Sequence, residues 1–95
     1  MPRPKVRRRL KFVPSVSYYK PLGVPLKHLE EVVLQHDEIE AIRLHDVDGL
    51  NQTSAAVKMG ISQPTFARIL DSAYKKIANA LVKGKAIKID VSPYH

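Results

Sequence analysis

Residues 63–68 bring together side chains that can hydrogen-bond to the edges of nucleic-acid bases. An arginine guanidinium, as in Arg68, can donate two parallel hydrogen bonds to O6 and N7 of guanine. A glutamine amide, as in Gln63, can donate to N7 and accept from N6 of adenine. The alternative for Arg68 is a solvated charge on an exposed helix face. The candidates for contact with base edges are Gln63, Pro64, Thr65, Ala67 and Arg68.

A second set of side chains suits the phosphate backbone, because hydroxyls, amides and cations all bond to phosphate oxygens without reading sequence. The arginines near the start resemble an arm that follows a groove, such as the minor groove, where arginine is favoured. The alternative for the lysines is a surface role, since lysine also favours helices. The candidates for phosphate contact are Arg7, Arg8, Arg9, Lys11, Gln52, Thr53, Lys58, Ser62, Lys75 and Lys76.

Two helices joined by a sharp turn are predicted to position these side chains. Asn51 has the residue type of a helix N-cap, and it precedes a predicted helix at 52–59. Gly60 suits the left-handed conformation that ends such a helix. Ser62 is the predicted N-cap of a second helix at 63–83, which would end at Gly84. The apolar face of this helix is expected to run from Phe66 to Leu81.

The turn between the two helices has further signals of a helix-turn-helix. Pro64 falls in the first turn of the second helix, where a missing N–H costs nothing. Ile61 and Phe66 have the spacing of a hydrophobic staple. The pattern favours a helix-turn-helix over an ordinary helical hairpin, and it would place the second helix in the major groove of DNA.

The formal net charge of +7 is unevenly distributed along the 95 residues. Residues 1–29 contain eight Lys and Arg and no acid, residues 30–57 contain seven acids and one arginine, and residues 58–95 contain seven Lys and Arg and two acids. Basic segments on both sides of an acidic block are typical of a polyanion binder. The alternative is a surface that only confers solubility.

The chain is predicted to be a single, mainly α domain with a short β element formed by its two terminal segments. It divides into a basic arm at 1–9, an extended or irregular lead-in at 10–36, a helix-turn-helix core at 37–83 and a C-terminal strand at 85–91. The lead-in is expected to hold a short strand at 10–13 and a short helix from Pro25 to about Val33. Asp37 and Glu40 have the spacing of a capping box for the first core helix, which 45–49 closes.

The C-terminal strand is predicted from alternation, because Ile87, Ile89 and Val91 face one way and Ala86 and the polar residues face the other. A lone strand leaves its backbone unsatisfied, so this strand needs a partner. The partner expected is 10–13, either in the same chain or in a second subunit.

Several classes of function are excluded by composition. The chain has no cysteine, and its four histidines lack the spacing of metal ligands, so neither a disulfide nor a metal site is expected. Without a glycine-rich phosphate loop or a catalytic pattern, we expect no enzyme activity and no cofactor. No segment approaches the roughly 20 apolar residues of a membrane span, and no secretory signal is recognised, so a cytoplasmic location is predicted.

Nearly the whole chain resembles a family of short archaeal and bacterial proteins that are predicted to bind DNA. The resemblance is carried by MPRPKVRRR with the following FVP, by YYKPLGVPL, by LEEVVLQHDEIEAIRLHDVDGL, and by the run that ends in ALVKGKAIKID. Residues 37–81 are also similar to region four of sigma factors, which binds promoter DNA through a helix-turn-helix. This second resemblance implies a groove-reading role for residues 62–76.

The sequence therefore predicts a DNA-binding protein, of the kind that regulates transcription or associates with the nucleoid, with double-stranded DNA as its partner. One alternative is an adaptor that docks on RNA polymerase or another partner, which occupation of the acidic 30–57 block would indicate. Another is an RNA-binding protein that uses the basic arm. A homodimer or higher oligomer joined through the terminal strands is expected, because one helix-turn-helix contacts only about half a turn of duplex.

Overall fold

In the computed structural model of the chain, which describes residues 17–90, three α-helices pack with a small sheet. The helices are α1 (His36–Ile42), α2 (Gln52–Met59) and α3 (Gln63–Lys83). The strands are β1 (Tyr18–Tyr19), β2 (Glu31–Leu34) and β3 (Ala86–Ile89). The predicted mainly α class is confirmed. No helix within the described range has both the length and the apolar character that crossing a membrane requires.

The ends of α2 and α3 follow the local signals in the sequence. Asn51 Oδ1 accepts a hydrogen bond from the backbone N–H three residues later, at 2.8 Å. Ser62 Oγ accepts the equivalent bond at the start of α3, at 3.3 Å. Gly60 and Gly84 end the two helices with φ of 72° and 70°, a conformation that is strained for residues with a Cβ. The predicted bounds of both helices are confirmed.

The start of α1 corrects a prediction. The helix begins one residue before Asp37, and the backbone N–H of Gln35 donates to Glu38 Oε1 at 2.8 Å. The expected capping box between Asp37 and Glu40 is absent because the Glu40 carboxylate instead pairs with Arg43 at 2.7 Å. The helix then continues into a π-helical segment, Arg43–Val47, so the segment 45–49 that was predicted to close the helix is still helical to Val47, and the chain turns only at residues 48–49.

The helical core is built where α1, α2 and the first half of α3 meet. Phe66 is fully buried and is the largest side chain in it. Its neighbours are mostly small, which lets the helix axes approach closely. The buried members of this cluster are Ala41, Leu44, Ala55, Ala56, Phe66 and Leu70.

β3 is the central strand of the sheet, and β1 and β2 lie on either side of it. β1 pairs with β3 antiparallel, with Tyr19 opposite Ile87, and β2 pairs with β3 parallel, with Val32 opposite the same residue. Because β2 precedes α1 and β3 follows α3, the whole helical segment runs between two neighbouring strands. The sheet thus fixes both ends of the helical segment.

One expectation about the flanks of the core is wrong. The helix predicted to continue to Val33 is only a 3₁₀ turn at Leu26–His28, and Glu31–Leu34 forms β2. Its β-branched valines suit a strand once β3 supplies the ladder. The strand expected at 10–13 lies outside the described residues, and within 17–90 the neighbours of β3 are β1 and β2. The basic arm at 1–9 also lies outside them.

Two side chains depart from their predicted exposure. Ala86, expected on the solvent side of its strand, is buried because β3 is central and packs beside α3. Leu81, expected on the apolar face of α3, is exposed. The buried stripe of α3 instead follows Phe66, Leu70, Ala73 and Ala80, and Leu81 lies to one side of it.

Candidate nucleic-acid interface

The predicted base-contacting side chains lie on the first turns of α3, before and after the buried Phe66 in the sequence. Gln63, Pro64 and Arg68 are exposed, and the last two are four residues apart, so they are neighbours on one helix face. The other two candidates, Thr65 and Ala67, are half-buried beside Phe66. The structure therefore brings three of the five candidates fully to the surface and places the other two at its margin.

Arg68 is the cation best placed on this face. It is exposed, and within residues 17–90 it makes no salt bridge. The nearest acid along the helix, Asp71, pairs instead with Lys75 at 3.2 Å. The planar guanidinium of Arg68 therefore keeps the forked donor geometry that guanine or phosphate would use.

Two hydroxyl candidates bond to each other at the start of α3. The Ser62 hydroxyl donates to Thr65 Oγ1 at 2.9 Å, and Ser62 Oγ accepts from the Thr65 backbone N–H. The proton of Ser62 is thus used inside the cap, while the hydroxyl proton of Thr65 can still be donated to an outside acceptor. Of the pair, Thr65 is the better contact for a phosphate or a base.

The amides of Gln52 and Gln63 join the first turns of α2 and α3. Gln63 Nε2 donates to Gln52 Oε1 at 2.7 Å, across eleven residues of sequence. The residue types predict a phosphate contact for Gln52 and a base contact for Gln63, and they do not reveal the bond between the two side chains. The signal was present, because each glutamine directly follows its helix cap and the sharp turn brings the two caps together.

The predicted phosphate contacts differ in their exposure and in their salt bridges. Thr53 and Lys58 are exposed on α2. Lys75 is exposed and paired with Asp71 on the same helix, a pair that solvent weakens. The arginines and the lysine of the arm, at positions 7, 8, 9 and 11, lie outside the described residues.

Lys76, predicted as a phosphate contact, also has partners inside the fold. Its ammonium donates to Glu38 Oε1 at 2.8 Å and to the backbone carbonyl of Val33 at 2.7 Å. Two of its three N–H donors are thereby used inside the fold, and its side chain is only 32% exposed. These two contacts, with β2 and with α1, account for the position of the Lys76 ammonium without a bound anion.

Glu38 is the buried carboxylate of this cluster. Burial alone would raise the pKa of Glu38, but hydrogen bonds from Lys76, from the Ser72 hydroxyl and from the Gln35 N–H lower it below its ordinary value. The group is therefore held as a carboxylate. An ionised Glu38 keeps α1 connected to α3, and Lys76 extends this connection to β2 through the Val33 carbonyl.

Most acids of the 30–57 block are engaged within the fold. Six of the seven accept hydrogen bonds or pair with cations, and the seventh, Asp37, is exposed. For example, Tyr74 donates to the Asp46 carboxylate at 2.6 Å, and burial together with this bond raises the pKa of Tyr74 to about 12. The engaged acids are Glu30, Glu31, Glu38, Glu40, Asp46 and Asp48.

Comparison with known proteins places similarity along the entire chain. Residues 1–95 match the family described as "Protein of unknown function DUF134". A UPF0251 protein of Moorella thermoacetica is 57% identical over 95 residues, which is 100% of this chain and 64% of that protein. A UPF0251 protein of Caldanaerobacter subterraneus is 52% identical over 94 residues, 99% of this chain and 80% of that protein. No solved structure matches the chain significantly.

The relatives differ from the chain in length. A UPF0251 protein of Desulforudis audaxviator is 52% identical over 90 residues, which is 95% of this chain but 59% of that protein. The chain thus spans somewhat less than two thirds of the Moorella and Desulforudis relatives, and four fifths of the Caldanaerobacter one.

Proposed function

The chain belongs to the DUF134 family, and we propose that it binds double-stranded DNA through a helix-turn-helix formed by α2 and α3, as a regulator of transcription does. The first turns of α3 would enter the major groove. The observation that carries the proposal is the exposed set of Gln63, Pro64 and Arg68, on a helix whose opposite face is anchored to α2 through Phe66. The resemblance of residues 37–81 to region four of sigma factors, taken from the sequence, implies the same motif.

Backbone contacts in this proposal come from the start of α2 and from the cap of α3. The first N–H groups of a helix have no partner within it, and they attract anions together with the helix dipole. Gln52 and Thr53 occupy this position in α2, and Lys58 adds charge at the other end of the helix. The arm at 7–11 would add phosphate or minor-groove contacts.

The distribution of the acids limits the adaptor alternative in part. An adaptor that used the acidic block would need carboxylates free on the surface. Glu38 and Glu40 are instead buried, and four other acids of the block have partners within the chain. Five acids of the block nevertheless stay exposed, so the adaptor alternative loses only Glu38 and Glu40 as contacts, and the binding test below decides between the two; the exposed acids are Glu30, Glu31, Asp37, Asp46 and Asp48.

The test is the salt dependence of binding to duplex DNA. If the arm and α3 neutralise about five phosphates, the slope of log affinity against log salt should lie near −4 to −5. Fluorescence anisotropy of a labelled duplex, titrated at several salt concentrations, measures the slope. A slope near zero, or no binding at about 50 mM salt, would remove duplex DNA as the partner.

A second test uses a variant in which Arg7, Arg8 and Arg9 are all replaced by alanine. It should weaken binding to all sequences alike and flatten the slope by up to about 3, because each phosphate contact contributes about one. Duplex RNA of the same sequence, used as competitor, separates DNA binding from RNA binding. Stronger competition by the RNA would favour the RNA alternative.

A further inference from the structure

We infer that Gln52 is a positioning residue for base recognition, and that it restricts Gln63 to reading adenine. The inference rests on the proposed function and deepens it. Its basis is the 2.7 Å hydrogen bond from Gln63 Nε2 to Gln52 Oε1, which links two side chains that each directly follow a helix cap. The bond uses part of the hydrogen-bonding capacity of Gln63 before any base approaches.

The remaining capacity of Gln63 matches one base. A glutamine amide has two N–H donors and one oxygen acceptor, and one of the donors is taken by Gln52. One donor and one acceptor remain. In the major groove adenine offers an acceptor at N7 and a donor at N6, so both remaining groups of Gln63 can be satisfied.

Guanine does not match the same amide. It presents two acceptors, N7 and O6, and two hydrogen bonds to them would need both N–H groups of Gln63. The bond to Gln52 leaves only one N–H, so the amide oxygen of Gln63 would face the guanine O6 without a proton between them. Gln52 thereby turns an amide that could accept either purine into one that discriminates between them.

Gln52 is suited to hold its partner in place. It is half-buried, in the first turn of α2, whereas Gln63 is exposed. A free glutamine side chain has many rotamers, and fixing it against the scaffold before binding reduces the entropy lost on the DNA. The N–H groups of Gln52 itself remain available for a phosphate, so positioning does not exclude the backbone contact proposed above.

The experiment measures base preference instead of affinity alone. Preferred duplexes are first selected from a random library with the wild-type chain. The contacted adenine is identified as the position where 7-deazaadenine, which lacks the N7 acceptor, weakens the wild type but not Gln63→Ala. Affinities for that duplex and for its guanine counterpart are then compared for the wild type, Gln52→Ala and Gln52→Glu.

We expect the wild type to prefer adenine over guanine by roughly 5- to 150-fold at this position, the range for a bidentate base contact. Gln52→Ala should reduce this ratio by at least about 5-fold. Gln52→Glu retains an acceptor for Gln63 Nε2, so it should preserve the ratio while its negative charge weakens binding to every duplex. Circular dichroism of the variants controls for folding.

The other outcomes overturn the inference in distinguishable ways. If Gln52→Ala weakens all duplexes equally and leaves the adenine preference intact, Gln52 is only a phosphate contact, and the proposed function still stands. If no position depends on both N7 and Gln63, Gln63 is not a base reader. If the wild type binds no duplex, the proposed function fails together with the inference.

Discussion

Arg68, Lys75 and Lys76 lie within three turns of one helix, and yet their charges serve different purposes. The Arg68 guanidinium is exposed and has no salt bridge within residues 17–90. Lys75 pairs with Asp71 in solvent, and Lys76 bonds to Glu38 and to Val33 inside the fold. The formal charge along α3 therefore overstates the number of cations that DNA could contact. Of these three side chains, Arg68 is the one best placed for such a contact.

Replacing Arg68 by alanine should weaken binding to a preferred DNA sequence more than binding to random duplex. If the guanidinium contacts a guanine edge, Arg68→Ala should lower affinity for a selected site by about 1–3 kcal/mol and affinity for random duplex by less. Parallel titrations of the two DNAs measure the difference. Lys83→Ala, which removes the same charge at the far end of α3, is the matched control and should not alter the preference. Equal losses on both DNAs would make Arg68 a phosphate contact.

At the scale of elements, Lys76 covers part of the outer edge of β2, which pairs with no further strand within residues 17–90. The carbonyls of Glu30 and Leu34 accept from β3, at 2.8 Å each. Because carbonyl directions alternate along a strand, the carbonyl of Val33 points away from β3, toward the unpaired side of β2. Lys76 donates to this carbonyl, and an unpaired strand edge is otherwise a site for aggregation.

Loss of Lys76 should destabilise the fold far more than loss of its neighbour. Lys76→Met leaves the buried Glu38 carboxylate without its cation, and we expect it to lower the free energy of unfolding by about 2–3 kcal/mol. The effect stays below that of a fully buried pair because the lysine side chain is 32% exposed. Lys75→Met, the matched control, should change stability by less than about 0.5 kcal/mol. Urea unfolding of both variants makes the comparison, and equal effects would contradict the assigned role.

The helical elements were predictable because their signals are local. Asn51 and Ser62 cap helices with their own side chains, and Gly60 and Gly84 end them through their own backbone. Each decision depends on residues within one helical turn. The positions of Gln63 and Arg68 in the candidate site were predictable for the same reason, since the cap at Ser62 fixes where α3 begins.

The sheet and the polar cluster were not predictable in this way, because they depend on partners distant in sequence. Glu31–Leu34 becomes a strand only because β3, more than fifty residues later, supplies its ladder. Lys76 bonds inside the fold because Glu38, 38 residues earlier in the chain, is buried beside it. Neither pairing leaves a periodic pattern that a single sequence reveals.

At the scale of the whole molecule, the sheet changes the argument for an oligomer. The sequence predicts that the C-terminal strand pairs with residues 10–13 and that subunits join through these terminal strands. Instead β3 has a neighbour on each side within the described chain, so it provides no free edge for a second copy. A homodimer or higher oligomer stays a prediction on other grounds, since two recognition helices one helical turn apart would match a palindromic site.

The prediction of an oligomer has to be tested on the intact chain. Truncation after Gly84 would remove the central strand and with it the sheet, so a loss of assembly in that form would have no clear meaning. Sedimentation at micromolar concentration, with and without duplex, should give a mass of at least twice the 10.7 kDa monomer. A monomer under both conditions would contradict the prediction.

The central place of β3 also sets an order of events during synthesis. β1 and β2 are made first, but they are not neighbours in the sheet, and neither has its partner until β3 leaves the ribosome. The contacts among α1, α2 and α3 can all form earlier, since they close shorter loops. A chain at that stage would therefore carry a formed helical core while β1 and β2 still lack β3, the strand that joins them in the sheet.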